Sequence, residues 1–157
     1  AQLSEEEFDI AKEIEILIHT IQAQNPNVSI SFTKTEDAFL LRANRSLALQ
    51  VFTNLIANAV AYSDKTAGKV VISLTGKGNG YLFSSENNGM SITQEYKPEI
   101  FSKFFRTPNA KQIRPEGTGL GLFIVKMICD KYAWRVWFQS PAKNQQGTIF
   151  FVKMPRS

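Results

Sequence analysis

A chain of 157 residues suits one domain, and its 43% hydrophobic and 20% charged residues give it an ordinary globular composition, with about 70% of the unfolded chain's surface buried on folding. The formal charge of +4 comes from Lys and Arg scattered along the chain rather than clustered, which argues against a nucleic-acid-binding surface. A single cysteine, Cys129, in an apolar helical stretch excludes an internal disulfide and reads as a buried inert thiol; no apolar run approaches the ~20 residues of a membrane span.

In chain order, Phe8, Ile10, Ala11, Ile14, Leu17, Ile18 and Ile21 recur at helical spacing, with Ser4 and Glu7 placed as a capping box and Asn25-Pro26-Asn27 as the stop. Val28, Ile30 and Phe32 alternate with polar residues and predict a strand; Ala38–Arg42 predicts a second. Asn44 caps a helix over Arg45 to Tyr62. Lys69 to Thr75 and Tyr81 to Ser85 form a hairpin around Lys77-Gly78-Asn79-Gly80. Residues 87–118 hold little periodicity, apart from a short helical piece near Lys97 to Phe105; a stretch this irregular in a small domain reads as a lid, about 90–118. Gly119 to Tyr132 predicts a further helix, and Trp134–Ser140 and Gly147–Met154 two more strands. Three helices and roughly six strands fit a two-layer α/β sandwich spanning residues 1–157 as a single domain. No signal peptide is visible, and Ala1 in place of a start methionine reads as an excised piece of a longer chain, whose membrane anchor could lie elsewhere.

Four segments carry chemistry. Asn54 and Asn58, four apart, share a helix face; amide oxygens are hard ligands suited to Mg²⁺, although a solvated or capping face produces the same pattern. Gly117-Thr118-Gly119-Leu120-Gly121-Leu122 opens a helix, so its backbone can approach a ligand closely and offer N–H groups and a positive dipole end to phosphate. No Lys-Ser or Lys-Thr follows that run, so it is not a Walker motif, and it follows a lid rather than a strand, so it is not a dinucleotide fingerprint. Asn87-Asn88-Gly89-Met90-Ser91-Ile92 lies at a strand end, where an Asn can accept from the adenine amino group and donate to a ring nitrogen, or form a plain turn. Ile100–Arg106 is an aromatic cluster ending in an Arg that can reach phosphate or lie on the surface.

Taken in order with Gly147-Thr148-Ile149-Phe150-Phe151, these segments resemble the asparagine box, phenylalanine box and three glycine boxes of the catalytic ATP-binding domain of bacterial sensor histidine kinases, within the superfamily of gyrase, heat-shock chaperone, histidine kinase and mismatch-repair ATPases. The resemblance covers nearly the whole chain. It implies the Bergerat ATP-binding fold, a mixed sheet of about five to six strands on three helices with a lid loop, and ATP and Mg²⁺ as cofactors. By the same resemblance Asn58 is the Mg²⁺ ligand and Asn54, beside it on the phosphate side, is catalytic together with Arg106, the lid arginine that approaches the γ-phosphate. Tyr62 and Phe101 belong to the nucleotide-binding set; Asn87 stands where the family usually has the Asp that binds the adenine amino group; Gly89 and Ile92 shape the adenine pocket and Thr148 closes it. Gly117, Thr118, Gly119, Leu120, Gly121 and Leu122 wrap the phosphates.

The chain departs from the family pattern at Ala61, where a Lys or Arg is usual and Lys65 or Lys103 could stand in, at Asn87, at Ser91 in place of a glycine, and at Ala133-Trp134, where a Gly pair often ends the helix. Asn54 occupies the position at which the superfamily's ATP hydrolases place a water-orienting Glu, which favours phosphoryl transfer to a protein side chain over hydrolysis. The only histidine, His19, lacks the neighbours of an acceptor motif, so the acceptor is expected on a separate dimerisation domain of the same protein, with a response regulator downstream, a cytoplasmic location, and neither nucleic-acid nor membrane contact by this segment. A degenerate nucleotide-binding scaffold and an anti-sigma-factor-type serine kinase are the alternatives.

Overall fold

The computed structural model describes residues 4–114, 117–142 and 146–157. Among the described residues, seven strands fall into two sheets. Strands β1 (Glu6–Asp9) and β3 (Leu40–Ala43) pair antiparallel. Strands β2 (Ser29–Lys34), β4 (Lys69–Lys77), β5 (Gly80–Asn87), β6 (Arg135–Gln139) and β7 (Thr148–Pro155) form a mixed sheet in the order β2-β4-β5-β7-β6, parallel only between β2 and β4. Helices α1 (Ile10–Gln24), α2 (Arg45–Ala61) and α4 (Gly121–Lys131) cover one face of that sheet, while α3 (Pro108–Ile113) lies in the lid region after a 3-10 turn over Gln94–Glu99. This is the two-layer α/β sandwich expected.

Two local expectations are corrected. Ser4 and Glu7 do not cap α1: Glu7 lies in β1, where Phe8 is buried opposite Leu41, and cross-strand pairing overrides the helical spacing. The cap is Asp9, whose Oδ1 accepts from the N–H groups of Ala11 (3.0 Å) and Phe39 (3.1 Å). The lid is also more regular than its composition suggests. The helical piece expected around residues 97–105 is a 3-10 turn over Gln94–Glu99, and the lid's α-helix sits further on at Pro108–Ile113, where Thr107 Oγ1 accepts from Ala110 N–H (3.1 Å) and Pro108 occupies the first turn.

The sheet register positions the site. On the helix-facing surface Ile72, Ser85 and Phe150 lie side by side, as do Leu74, Phe83 and Val152. One row nearer the edge come Val70, Asn87 and Thr148, so two buried polar side chains end up as cross-strand partners at one end of the sheet. Helix α2 is buried along Val51, Phe52, Leu55, Ile56 and Ala59, with the Phe52 ring 5.0 Å from that of Phe83. Its remaining half-buried face carries Asn54, Ala57, Asn58 and Ala61, and the following Tyr62 is also half-buried.

Helix α4 ends in a Schellman motif: Trp134 N–H donates to Cys129 O (2.8 Å) and Ala133 N–H to Asp130 O (3.3 Å), which places Ala133 at φ 56°. An exposed alanine there bears left-handed strain with no packing to offset it. Ala133→Gly should therefore stabilise the domain by about 1 kcal/mol, a rise of roughly 2–4 °C in Tm by calorimetry. An unchanged or lower Tm would remove the strain argument. Cys129 is fully buried in the same helix, and burial pushes its thiol up to about 12, which agrees with an inert structural residue.

Candidate functional site

A cleft of about 310 Å³ opens between α2, the ends of β5 and β7 and the segment holding Ile100–Arg114 and Gly117–Leu122. Asn54, Asn58 and Tyr62 from α2 and its end, Asn87 from β5, Thr148 from β7, and Ile92, Arg106, Gly117, Thr118, Gly119, Gly121 and Leu122 all line it. Three expected residues lie behind the wall. Gly89 packs on the end of α2, where an added Cβ would stand 2.0 Å from Tyr62 O. Phe101 sits edge-on to Phe138 (6.0 Å) and Phe150 (6.2 Å), beneath the cleft. Leu120 is the N-cap of α4. Sequence reasoning gave no individual role to Ala57, Met90, Ile100, Phe105, Thr107, Ala110, Arg114 and Phe150, which also line it, although Met90, Ile100, Phe105 and Phe150 fall within the segments it singled out.

The two ends differ in chemistry. Met90, Ile92, Ile100, Phe105 and Phe150 make one end apolar, with Asn87 and Thr148 as its polar groups. Thr148 Oγ1 donates to Met90 O (3.0 Å) and is 2.8 Å from Ser140 Oγ, which in turn accepts from Ile92 N–H (2.7 Å). Ser91 ties this end to the loop before β7: its Oγ accepts from Gly147 N–H (2.9 Å). Asn88 organises the neighbouring turn, its Oδ1 accepting from the N–H groups of Asp64 and Lys69. Hydrogen bonds from Ala67 N–H, and from the hydroxyl and N–H of Thr66, hold the Asp64 carboxyl below its ordinary value.

At the other end the cleft is polar and basic. Arg106 and Arg114 are the cationic side chains lining it among the described residues; neither Lys65 nor Lys103 does so, and Lys103 lies over the rings of Phe104 (5.2 Å) and Phe123 (5.8 Å). Arg106 gathers the lid. Its guanidinium donates to Ala110 O (2.7 Å), Gly117 O (3.2 Å), Arg114 O and Tyr62 Oη (3.2 Å), connecting α3 and the glycine run to the end of α2.

Two of the three glycines in the run have a steric reason. A Cβ at Gly117 would meet the Arg106 guanidinium at 2.8 Å; one at Gly119, at φ 73°, would meet the Phe104 backbone at 2.6 Å; one at Gly121 would face Asn54 Oδ1 at 3.5 Å. The first two let the lid close on itself, with Phe104 N–H donating to Gly119 O (3.0 Å) and Phe104 held at φ 64°. The third keeps the start of α4 open toward the Asn54 side chain, where a helix N-terminus favours an anion.

These residues fit a magnesium nucleotide. Among the described residues the Asn54 and Asn58 side-chain amides make no hydrogen bond to protein and line the cleft, and no group of three or more His, Cys, Asp or Glu gathers anywhere that could hold a metal alone. A cation at Asn58 must then take its remaining ligands from phosphate and water, which is the habit of Mg²⁺.

The family described as histidine kinase-, DNA gyrase B- and HSP90-like ATPase matches residues 43–157. This chain belongs to that family. Sensor histidine kinase YkoH of Bacillus subtilis is 30% identical over 142 residues, which are 90% of this chain and 30% of YkoH. A histidine kinase of Formosa agariphila is 30% identical over 136 residues, 85% of this chain and 10% of that protein, so the chain spans less than a third of either relative. Among solved structures, the catalytic domain of histidine kinase ThkA superposes with a TM-score of 0.84 at 27% identity, covering 98% of both chains. As a member of the histidine kinase-like ATPases, the chain brings Asn54 and Asn58 into one cleft with Gly117, Gly119 and Gly121. No helix among the described residues is long and apolar enough to cross a membrane. His19 stands on the exposed side of α1, away from the cleft wall.

Proposed function

We propose that the chain is the catalytic domain of a sensor histidine kinase: it binds Mg-ATP in the cleft and passes the γ-phosphoryl group to a histidine on a separate dimerisation domain of the same protein, with a response regulator downstream. The observation that carries this choice over ATP hydrolysis is the character of the wall. Among the described residues no Asp or Glu lines the cleft, and the helix position that faces Gly121 is Asn54, an amide that cannot take a proton from water. The named kinases among its relatives support the histidine as acceptor.

In this reading the protein contributes position and charge. Met90, Ile92, Ile100 and Phe150 enclose the base, and Asn87 meets its polar edge. Asn58 holds Mg²⁺, and Asn54 with the start of α4 orients the phosphates. Bound ATP supplies the γ-phosphoryl group, with the charge on its oxygens balanced by the metal and by Arg114 on the lid side. Arg106, engaged with three backbone carbonyls and Tyr62, keeps the lid folded over the site. We place residues 1–157 as one cytoplasmic domain of a longer sensor, as its small share of the histidine kinase relatives' length supports.

The test is transfer. The chain is incubated with γ-labelled ATP, Mg²⁺ and the dimerisation domain of its own full-length protein. Label on that domain should be lost in acid and kept in alkali, as a phosphohistidine. Label kept in acid would mark a serine acceptor, and release of inorganic phosphate alone would mark a hydrolase; either outcome overturns the proposal.

A further inference from the structure

The base end of the cleft is read by a side chain whose acceptor is already in use. Asn87 is 4% exposed and lines the cleft. Its Oδ1 accepts from Gly89 N–H (3.0 Å), two residues on. The same oxygen lies under the loop before β7, where a Cβ on Gly147 would stand 3.0 Å from it. The acceptor half of the amide is thus wedged between two stretches of backbone. Turning the amide over would set its NH₂ against the Gly89 N–H, two donors face to face, so the hydrogen-bond network decides its orientation. The donor half, Nδ2, has no protein partner among the described residues and faces the cleft. Thr148, the other polar side chain at this end, spends its hydroxyl on Met90 O and Ser140 Oγ.

We propose that Asn87 presents an amide donor to the purine's six-position edge, so that this site accepts 6-oxo purine nucleotides about as well as ATP. The inference rests on the nucleotide reading of the cleft and deepens it. An acceptor at this point would select adenine, whose exocyclic amino group donates, and would reject a 6-oxo purine, whose O6 can only accept. A donor reverses that relation for O6 and meets adenine through N1, its ring acceptor. Both bases therefore offer Nδ2 a partner, and neither leaves a charged group stranded. Strong discrimination arises when only the wrong ligand leaves a buried polar group unpaired; here each base leaves one donor without an Asn87 partner, the amino group of adenine or the N1–H of hypoxanthine, so the cost falls on both alike.

The experiment compares ATP with ITP, whose hypoxanthine carries O6 in place of the amino group. Both are titrated by calorimetry into the chain with Mg²⁺, and into Asn87→Asp. The aspartate keeps an oxygen for Gly89 N–H, so the local turn is retained, and thermal melts check this. The wild-type chain should bind the two nucleotides within about tenfold of each other, and Asn87→Asp should move the ratio toward ATP by about tenfold or more. A wild-type preference for ATP beyond about tenfold, or a ratio that Asn87→Asp leaves unchanged, overturns the inference. If the folded chain binds neither nucleotide, the nucleotide reading fails first and takes this one with it.

Discussion

Asn58→Ala should lower affinity for ATP in the presence of Mg²⁺ by about a hundredfold and leave the weaker binding measured in EDTA unchanged. Asn58 stands in the middle of the half-buried face of α2, one turn from Asn54, and its amide lines the cleft with no protein partner among the described residues. No Asp, Glu or His lines the cleft beside it among the described residues, so removing the amide leaves a cation there with phosphate and water alone. Loss of groups that merely orient a metal ligand costs ten- to a hundredfold in metal affinity, and a direct ligand belongs at the upper end or beyond. Alanine is a good helix former and the position is only half-buried, so Tm should stay within a few degrees. Equal affinity with and without Mg²⁺ in both proteins would remove Asn58 from the metal.

Gly147→Ala should be the most damaging single-methyl change, lowering stability by about 3 kcal/mol, or roughly 6–12 °C in Tm. Two effects combine. Gly147 is at φ 81°, where an L side chain is strained, and its Cβ would stand 1.9 Å from the carbonyl oxygen of Asn87. That oxygen belongs to β5, which the mixed sheet holds between β4 and β7, so it cannot give way without shifting the Asn87–Thr148 row. The loop must then move, and with it the bond from Gly147 N–H to Ser91 Oγ. The damage should reach function as well as stability, because Thr148 and Asn87 form the polar part of the base end. A Tm within 2–3 °C of wild type would show that the loop before β7 relaxes freely and is no anchor.

Much of the site was legible because its signals are local. Asn54 and Asn58 share a face by spacing alone, Asn44 caps α2 as its side-chain chemistry requires, and the turn at Gly78-Asn79 fixes the register of β4 on β5. What was hidden depends on partners far away in the chain. Strand β1 is four residues long and its Phe8 fits a helical stripe equally well; only pairing with β3 makes it a strand. The glycine run reads as a phosphate cradle, yet Gly117 and Gly119 are required by Arg106 and Phe104, contacts that spacing cannot show. A valine at Gly119 would therefore unfold the lid's own packing rather than probe phosphate, and Gly121, helical and facing Asn54, is the position at which a side chain enters the cleft without straining the backbone. Arg106 illustrates the same limit: its bonds to Ala110, Gly117, Arg114 and Tyr62 tie the lid together, contacts that its sequence position does not show.

Calorimetric titration of the chain with ATP, with and without Mg²⁺, tests the central claim most directly. Binding should saturate at one nucleotide per chain and weaken when Mg²⁺ is chelated, with a gain in stability of about 2.7 kcal/mol at a hundred times the dissociation constant. A folded chain that releases no heat and shows no shift in Tm with Mg-ATP would contradict it.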